Sequence, residues 1–148
     1  MTTFFCIPTF DFTGEKSQFT IATGPVVINR THDKVLLHVW ESTGKWQFIW
    51  GRYDDTLTFR ENAIKKAEEV IGNNHITLLE SEPVVLFDII DLHWYEEKTL
   101  LIHYKANIAD ETNIGLCQWF SLEEIRMLDA KNETSSENVK IISEQFLK

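Results

Sequence analysis

The chain has 148 residues, 43% of them hydrophobic, which is enough for one domain with a full core and leaves little room for a second. A formal net charge of −9 and a pI near 5.0 argue against broad binding to nucleic-acid backbone or to an anionic membrane. No apolar run is long enough to span a bilayer and no charged, then apolar, leader opens the sequence. Cys6 and Cys117 lie far apart without CxxC or metal-ligand spacing, so reduced thiols in a cytoplasmic protein are expected.

In chain order, Phe19 to Asn29 and Lys34 to Trp40 read as strands joined by a polar turn at Thr31-His32-Asp33. Trp46 to Ile49 reads as a short strand leading into a loop that opens at Gly51. A helix is then predicted from about Thr58 to Ile71. Thr58 and Glu61 have capping-box spacing, and Phe59, Ala63, Ala67, Val70 and Ile71 recur at steps that give one apolar stripe. Gly72 followed by Asn73 is a candidate left-handed C-cap. Val84 to Trp94 and Thr99 to Ile108 are rich in β-branched and aromatic residues and are expected to pair across Tyr95-Glu96-Glu97-Lys98. Ile114 to Phe120 reads as another strand. Ser121 with Glu124 is a second capping box opening a short helix, and Ser136 to Leu147 reads as a terminal helix with Val139, Ile142 and Phe146 inward. No internal repeat, low-complexity tract or linker interrupts this order.

The stretch from Gly51 to Gly72 carries the most specific signal. It lies behind Trp46, Ile49 and Trp50, and Trp119-Phe120-Ser121-Leu122-Glu123-Glu124-Ile125 follows downstream. In order and spacing it resembles the box of the Nudix (MutT-like) hydrolase family, in a gapless frame that runs Gly, five residues, Glu, seven residues, Arg-Glu-apolar-any-Glu-Glu-any-Gly-apolar. Gly51 and Gly72 match the box glycines and Glu69 matches a box Glu. Asp54 stands where the loop often carries a Glu. Leu57 replaces the first Glu, Lys65 the Arg, Lys66 the Glu after it, and Val70 a Glu that is usually a metal ligand. The resemblance spans roughly Ala22 to Leu128. It implies an α/β sandwich of α+β type, with a mixed sheet between helices, in a single domain covering 1–148.

The resemblance also implies an activity, the hydrolysis of nucleoside diphosphates linked to another group with Mg2+ or Mn2+ held by clustered carboxylates. The substitutions bear on that activity directly. Replacing two glutamates with Lys66 and Val70 leaves the site roughly three charge units more positive, and an ammonium competes with a cation for the same place. Weak or absent metal binding is therefore expected, with Glu69 as the remaining ligand, and a cofactor-free protein is one of the outcomes. Asp88, Asp91, Glu96 and Glu111 are candidates for a carboxylate supplied from outside the box.

The candidate catalytic residues are Glu69 and Asp54, and the candidate ligand-binding residues are Trp50, Arg52, Lys65 and Lys66. Lys65 and Lys66, with Arg52 and Arg60 nearby, are either the solvated side of a helix or cations that hold phosphate directly. Trp50 stands where the family usually has Gly, so it either fills the old site or lines a new one. Trp40 and Trp46 read first as packing residues, with base stacking as the alternative. His93 and His103 flank the predicted hairpin, and without a third ligand at a matching step they read as strand-surface histidines. Two functions remain open at this point. One is a divergent pyrophosphohydrolase of weak or altered activity. The other is a non-catalytic module that binds a nucleotide-like ligand or a protein partner. A small phosphorylated, nucleotide-like ligand is one open partner, and a homodimer is an open assembly.

Overall fold

The computed structural model describes residues 6–10, 16–91 and 96–147. Two long strands form its spine. β2 (Lys16–Val27) runs parallel to β8 (Glu96–Ile108), with Phe19 opposite Lys98 and Val27 opposite Ala106. On the other edge of β2 lie β1 (Cys6–Phe10) and the two-residue β5 (Gly51–Arg52), both antiparallel to it. The other edge of β8 pairs antiparallel with β6 (Ile76–Leu78) near its end and with β7 (Val84–Asp91) along its first half. A second, three-stranded antiparallel sheet has β3 (Lys34–Trp40) between β4 (Lys45–Gln47) and β9 (Gln118–Ser121).

The alternation of side chains along the strands sorts the core into two layers. Ile21 and Val27 of β2, Leu36 of β3 and Ile102, Tyr104 and Ala106 of β8 pack on one side, against Ala63, Ala67 and Ile71 of α1 (Phe59–Ile71). Val26, Val35 and Leu37 face the other way, onto Ile125 of α2 (Leu122–Ala130) and Val139 and Ile142 of α3 (Asn138–Phe146). The result is a mixed sheet between helices, as the resemblance implies.

The starts of α1 and α2 are capped as their spacing predicts, whereas α3 has no side-chain cap. Thr58 Oγ1 accepts from Glu61 N at 3.1 Å while Glu61 Oε1 accepts from Thr58 N at 3.0 Å. Ser121 and Glu124 repeat the exchange at 3.2 and 3.0 Å. Gly72 ends α1 with φ 90° and ψ −146°, which is positive in φ but extended in ψ, so it is not the left-handed cap expected.

Three expectations need correction. Ile114 to Cys117 is not strand: Cys117 N donates to Ile114 O in a turn with Gly115 at φ 58°, and β9 begins only at Gln118. Glu96, Glu97 and Lys98 are not a turn but the start of β8, paired with Asp91, Ile90 and Ile89. β2 begins at Lys16 rather than Phe19 and ends at Val27. His93, Trp94 and Tyr95 lie outside the described residues. Among the described residues, no helix is long and apolar enough to cross a membrane.

Candidate functional site

One close approach of backbone sets the geometry around Trp50. A Cβ placed on Gly24 of β2 would stand 1.8 Å from Ile49 O and 2.7 Å from Trp50 Cα, so only glycine lets this turn lie against the sheet. From there β5 pairs Ala22 with Arg52, and the loop turns back toward α1.

Asn62, fully buried on α1, fastens that loop. Its Nδ2 donates to Thr23 Oγ1 at 2.8 Å and to the Gly51 and Arg52 carbonyls at 3.4 Å, and its Oδ1 accepts from Asp54 N at 3.2 Å. One side chain thus ties strand, loop and helix together. It positions the loop that carries Asp54, and the sequence pattern does not single it out, although a polar residue one step before Ala63 of the apolar stripe is the available signal.

Asp54 is buried, and its Oδ1 accepts from Thr56 N at 3.0 Å and Thr56 Oγ1 at 2.7 Å. Those two hydrogen bonds, with a smaller contribution from the Lys65 and Lys66 charges, hold its carboxyl below the usual carboxylate range. Lys65 Nζ is 3.9 Å from Asp54 Oδ2. One oxygen of this candidate catalytic group is therefore committed to shaping the turn, and the other faces a lysine.

Lys66 and Glu69 form the second pair, with Nζ 3.5 Å from Oε2. The methylenes of Lys66 lie across Gly51: a Cβ there would meet Lys66 Cδ at 2.3 Å and Cε at 2.5 Å. The stem is thus packed onto backbone, and the ammonium is delivered to the single retained box carboxylate. Arg52 is half-buried in β5. Arg60 is not part of this group. Its guanidinium reaches the Leu78 carbonyl at 3.2 Å and the Leu79 carbonyl at 3.4 Å, and it lies 5.3 Å over the Tyr104 ring.

The donor set does not suit a divalent cation. Magnesium and manganese need clustered oxygen ligands, and here Leu57 and Val70 offer none while an ammonium occupies the charge of Glu69. Among the described residues no three His, Cys, Asp or Glu side chains come together. Of the carboxylates proposed from outside the box, Glu111 Oε1 accepts from Arg30 N at 2.5 Å. Asp88, Asp91 and Glu96 are described only as backbone positions in β7 and β8.

Beside Glu69 and Val70 an open groove of about 520 Å³ separates α1 from the end of β3, with Val39, Trp40 and Leu116 on its walls. Trp50 is not among its lining residues. It meets Trp40 edge-on, with ring centroids 6.3 Å apart, and borders a much smaller cavity of about 20 Å³ against α3. Trp46 packs edge-on to Phe120 at 4.8 Å, which is core packing, whereas Trp40 has one side on the groove. His103 is not a surface residue: it is buried, with Nδ1 3.3 Å from Gly24 O, and desolvation lowers its pKa to about 4. Cys117 is a free, buried thiol whose pKa desolvation raises to about 11, so it is chemically quiet.

No protein-family model and no curated protein sequence matches the chain. Solved structures do. An Ap4A hydrolase from C. elegans aligns over 86% of this chain and 96% of its own at 17% identity, with a TM-score of 0.60. A NUDIX hydrolase from Nitrosomonas europaea (85% and 88%, TM-score 0.63) and a MutT NUDIX hydrolase from Burkholderia pseudomallei (87% and 98%, TM-score 0.61) align at the same 17% identity. Identities this low speak to architecture, and the architecture agrees over nearly the whole chain: this is a Nudix-fold protein.

Proposed function

We propose that this chain is a Nudix-fold module that binds a small phosphorylated, nucleotide-like ligand through Lys65, Lys66 and Arg52 without hydrolysing it at ordinary enzyme rates. The observation that carries the reading is the position of Lys66. Its ammonium stands 3.5 Å from Glu69, where the resemblance calls for a carboxylate beside a metal ion. A fixed cation next to a phosphate subsite offers charge-assisted hydrogen bonds and needs no ion to bridge them. Hydrolysis loses by the same exchange. Stabilising the charge that develops on a departing phosphate needs several aligned groups, and removing one typically costs ~10²- to 10³-fold in rate. Similar structures are described as hydrolases, so hydrolysis is the activity to be tested.

The test pairs calorimetry of ADP binding in EDTA with a pyrophosphohydrolase screen in Mg2+ and Mn2+. ADP binding that survives chelation and weakens in Lys66→Ala supports the module. Turnover of any nucleoside diphosphate derivative at about 1 s⁻¹ or faster, the lower end of ordinary enzyme rates, overturns it. The double change Lys66→Glu with Val70→Glu is expected to raise Mn2+ affinity, because it restores two carboxylates beside Glu69.

A further inference from the structure

We propose that the groove between the end of β3 and the C-terminal half of α1 binds a small organic amine in its ammonium form, an apolar body carrying a positive end. The inference does not rest on phosphate binding. Its volume of about 520 Å³ falls in the range of small-molecule pockets, roughly 300 to 1,000 Å³.

The walls are apolar where a surface would ordinarily be polar. Leu116 is 88% exposed and Val39 37% exposed, and both line the groove with Trp40 and Val70. Leu116 does not sit on a loose loop. Asn74 Nδ2 donates to Asp110 O at 2.9 Å and to Asn113 O at 2.6 Å, and Asn113 Nδ2 donates to Asn73 O at 2.8 Å. A Cβ on Gly115 would stand 2.9 Å from Val70 O, so the loop lies flat on the end of α1. The loop backbone that carries Leu116 over the groove is therefore held in place, and a ligand has little of the loop itself to order.

The polar groups of the groove choose the charge of the occupant. Glu41 and Glu69 supply carboxylates and Ser42 a hydroxyl, and no lysine or arginine is among its lining residues. The remaining titratable group, His38, sits 3.5 Å from Gln47 Nε2, and burial lowers its pKa, so at neutral pH it adds no positive charge. Of the cations near it, Lys66 already lies against Glu69, and Lys45, opposite Trp40 on β4, reaches Asn132 Oδ1 at 3.4 Å. An anion entering here meets like charge, whereas an ammonium meets the Glu41 carboxylate, a Glu69 carboxylate shared with Lys66, and the indole of Trp40, a favourable partner for a cation.

Three probes of one shape separate the contributions: 2-phenylethylamine, 2-phenylethanol and phenylacetate, each titrated by calorimetry at pH 7. The amine is expected to bind saturably and at least tenfold tighter than the alcohol, and phenylacetate not at all. Leu116→Ser, at an exposed position that the fold does not need, is expected to weaken all binding about tenfold. Glu41→Gln is expected to bring the amine down toward the alcohol. Lys66→Ala is expected to tighten the amine by freeing Glu69 while it weakens ADP, so the two readings fail independently. Equal binding of the three probes, tighter binding of phenylacetate, or no saturable binding of the amine overturns the proposal. So does an amine affinity untouched by both Leu116→Ser and Glu41→Gln.

Discussion

Lys66 shows how much one side chain can reassign. As an ion pair on a partly solvated helix face, its contact with Glu69 contributes little to stability, under about 1 kcal/mol, so its effect is on the site. The substitution itself is legible in the sequence, because position and charge follow from the gapless frame. The path of its stem over Gly51 is not, because only tertiary structure brings the helix over that glycine. Asn62 is equally hidden. Its four partners come from β2, β5 and the following loop, and no local pattern announces a buried amide. Asn62→Leu keeps the branched heavy-atom shape and strands Thr23 Oγ1 and Asp54 N without partners. At about 1–3 kcal/mol for each buried group left unsatisfied, urea unfolding is expected to show a loss of roughly 2–6 kcal/mol with an unchanged m-value. A loss below about 1 kcal/mol would mean that the loop is held by something else.

Elements are legible where local chemistry decides them and illegible where it does not. The capping boxes place the starts of α1 and α2 to the residue, because the hydroxyl and carboxylate act within one turn; Thr58→Ala is expected to cost about 1 kcal/mol in a thermal or urea melt. Ile114-Gly115-Leu116-Cys117 misleads because its apolar residues suggest burial. Cys117 goes inside and Ile114 only part of the way, while Thr112 N and Oγ1 on Asp110 Oδ1, at 3.0 and 2.6 Å, hold the segment before them as a turn. β6 and β5, three and two residues long, carry too little pattern to be read at all. Two glycines separate element-level from residue-level roles. Gly24→Ala drives a methyl into the Ile49 carbonyl, a clash of backbone on backbone, and is expected to cost at least about 3 kcal/mol. Gly51→Ala meets only the flexible stem of Lys66, which can swing aside, so its cost should stay under about 1 kcal/mol while Lys66 leaves Glu69. Denaturation of the two variants side by side checks the contrast, and comparable losses would refute it.

At the scale of the whole molecule, the buried titratable groups predict a bounded pH range of stability. His103 sits between β2 and the Phe48 ring, and desolvation lowers its pKa from 6.5 to about 4; burial moves His38 the same way. Between those two values the unfolded chain takes up a proton that the folded chain refuses, so stability falls as the pH drops from 6.5 toward 4. At about 1.4 kcal/mol per pH unit, His103 alone accounts for a loss on the order of 3 kcal/mol. At the other end, burial raises the Cys117 thiol from its ordinary value of 9.0 to about 11. It therefore ionises first in the unfolded chain, and stability is lost again as the pH rises past 9. The fold should be most stable between about pH 6.5 and 9. Urea unfolding from about pH 4 to 10 tests this, with His103→Gln expected to flatten the acid limb by about one proton's slope. An NMR titration of the His103 ring in the native protein gives an independent reading. A midpoint near 6.5 there, or an acid limb unchanged in the variant, would mean that the imidazole is reached by water and that β8 packs more loosely against Phe48 than the 5.6 Å separation of the His103 and Phe48 rings implies.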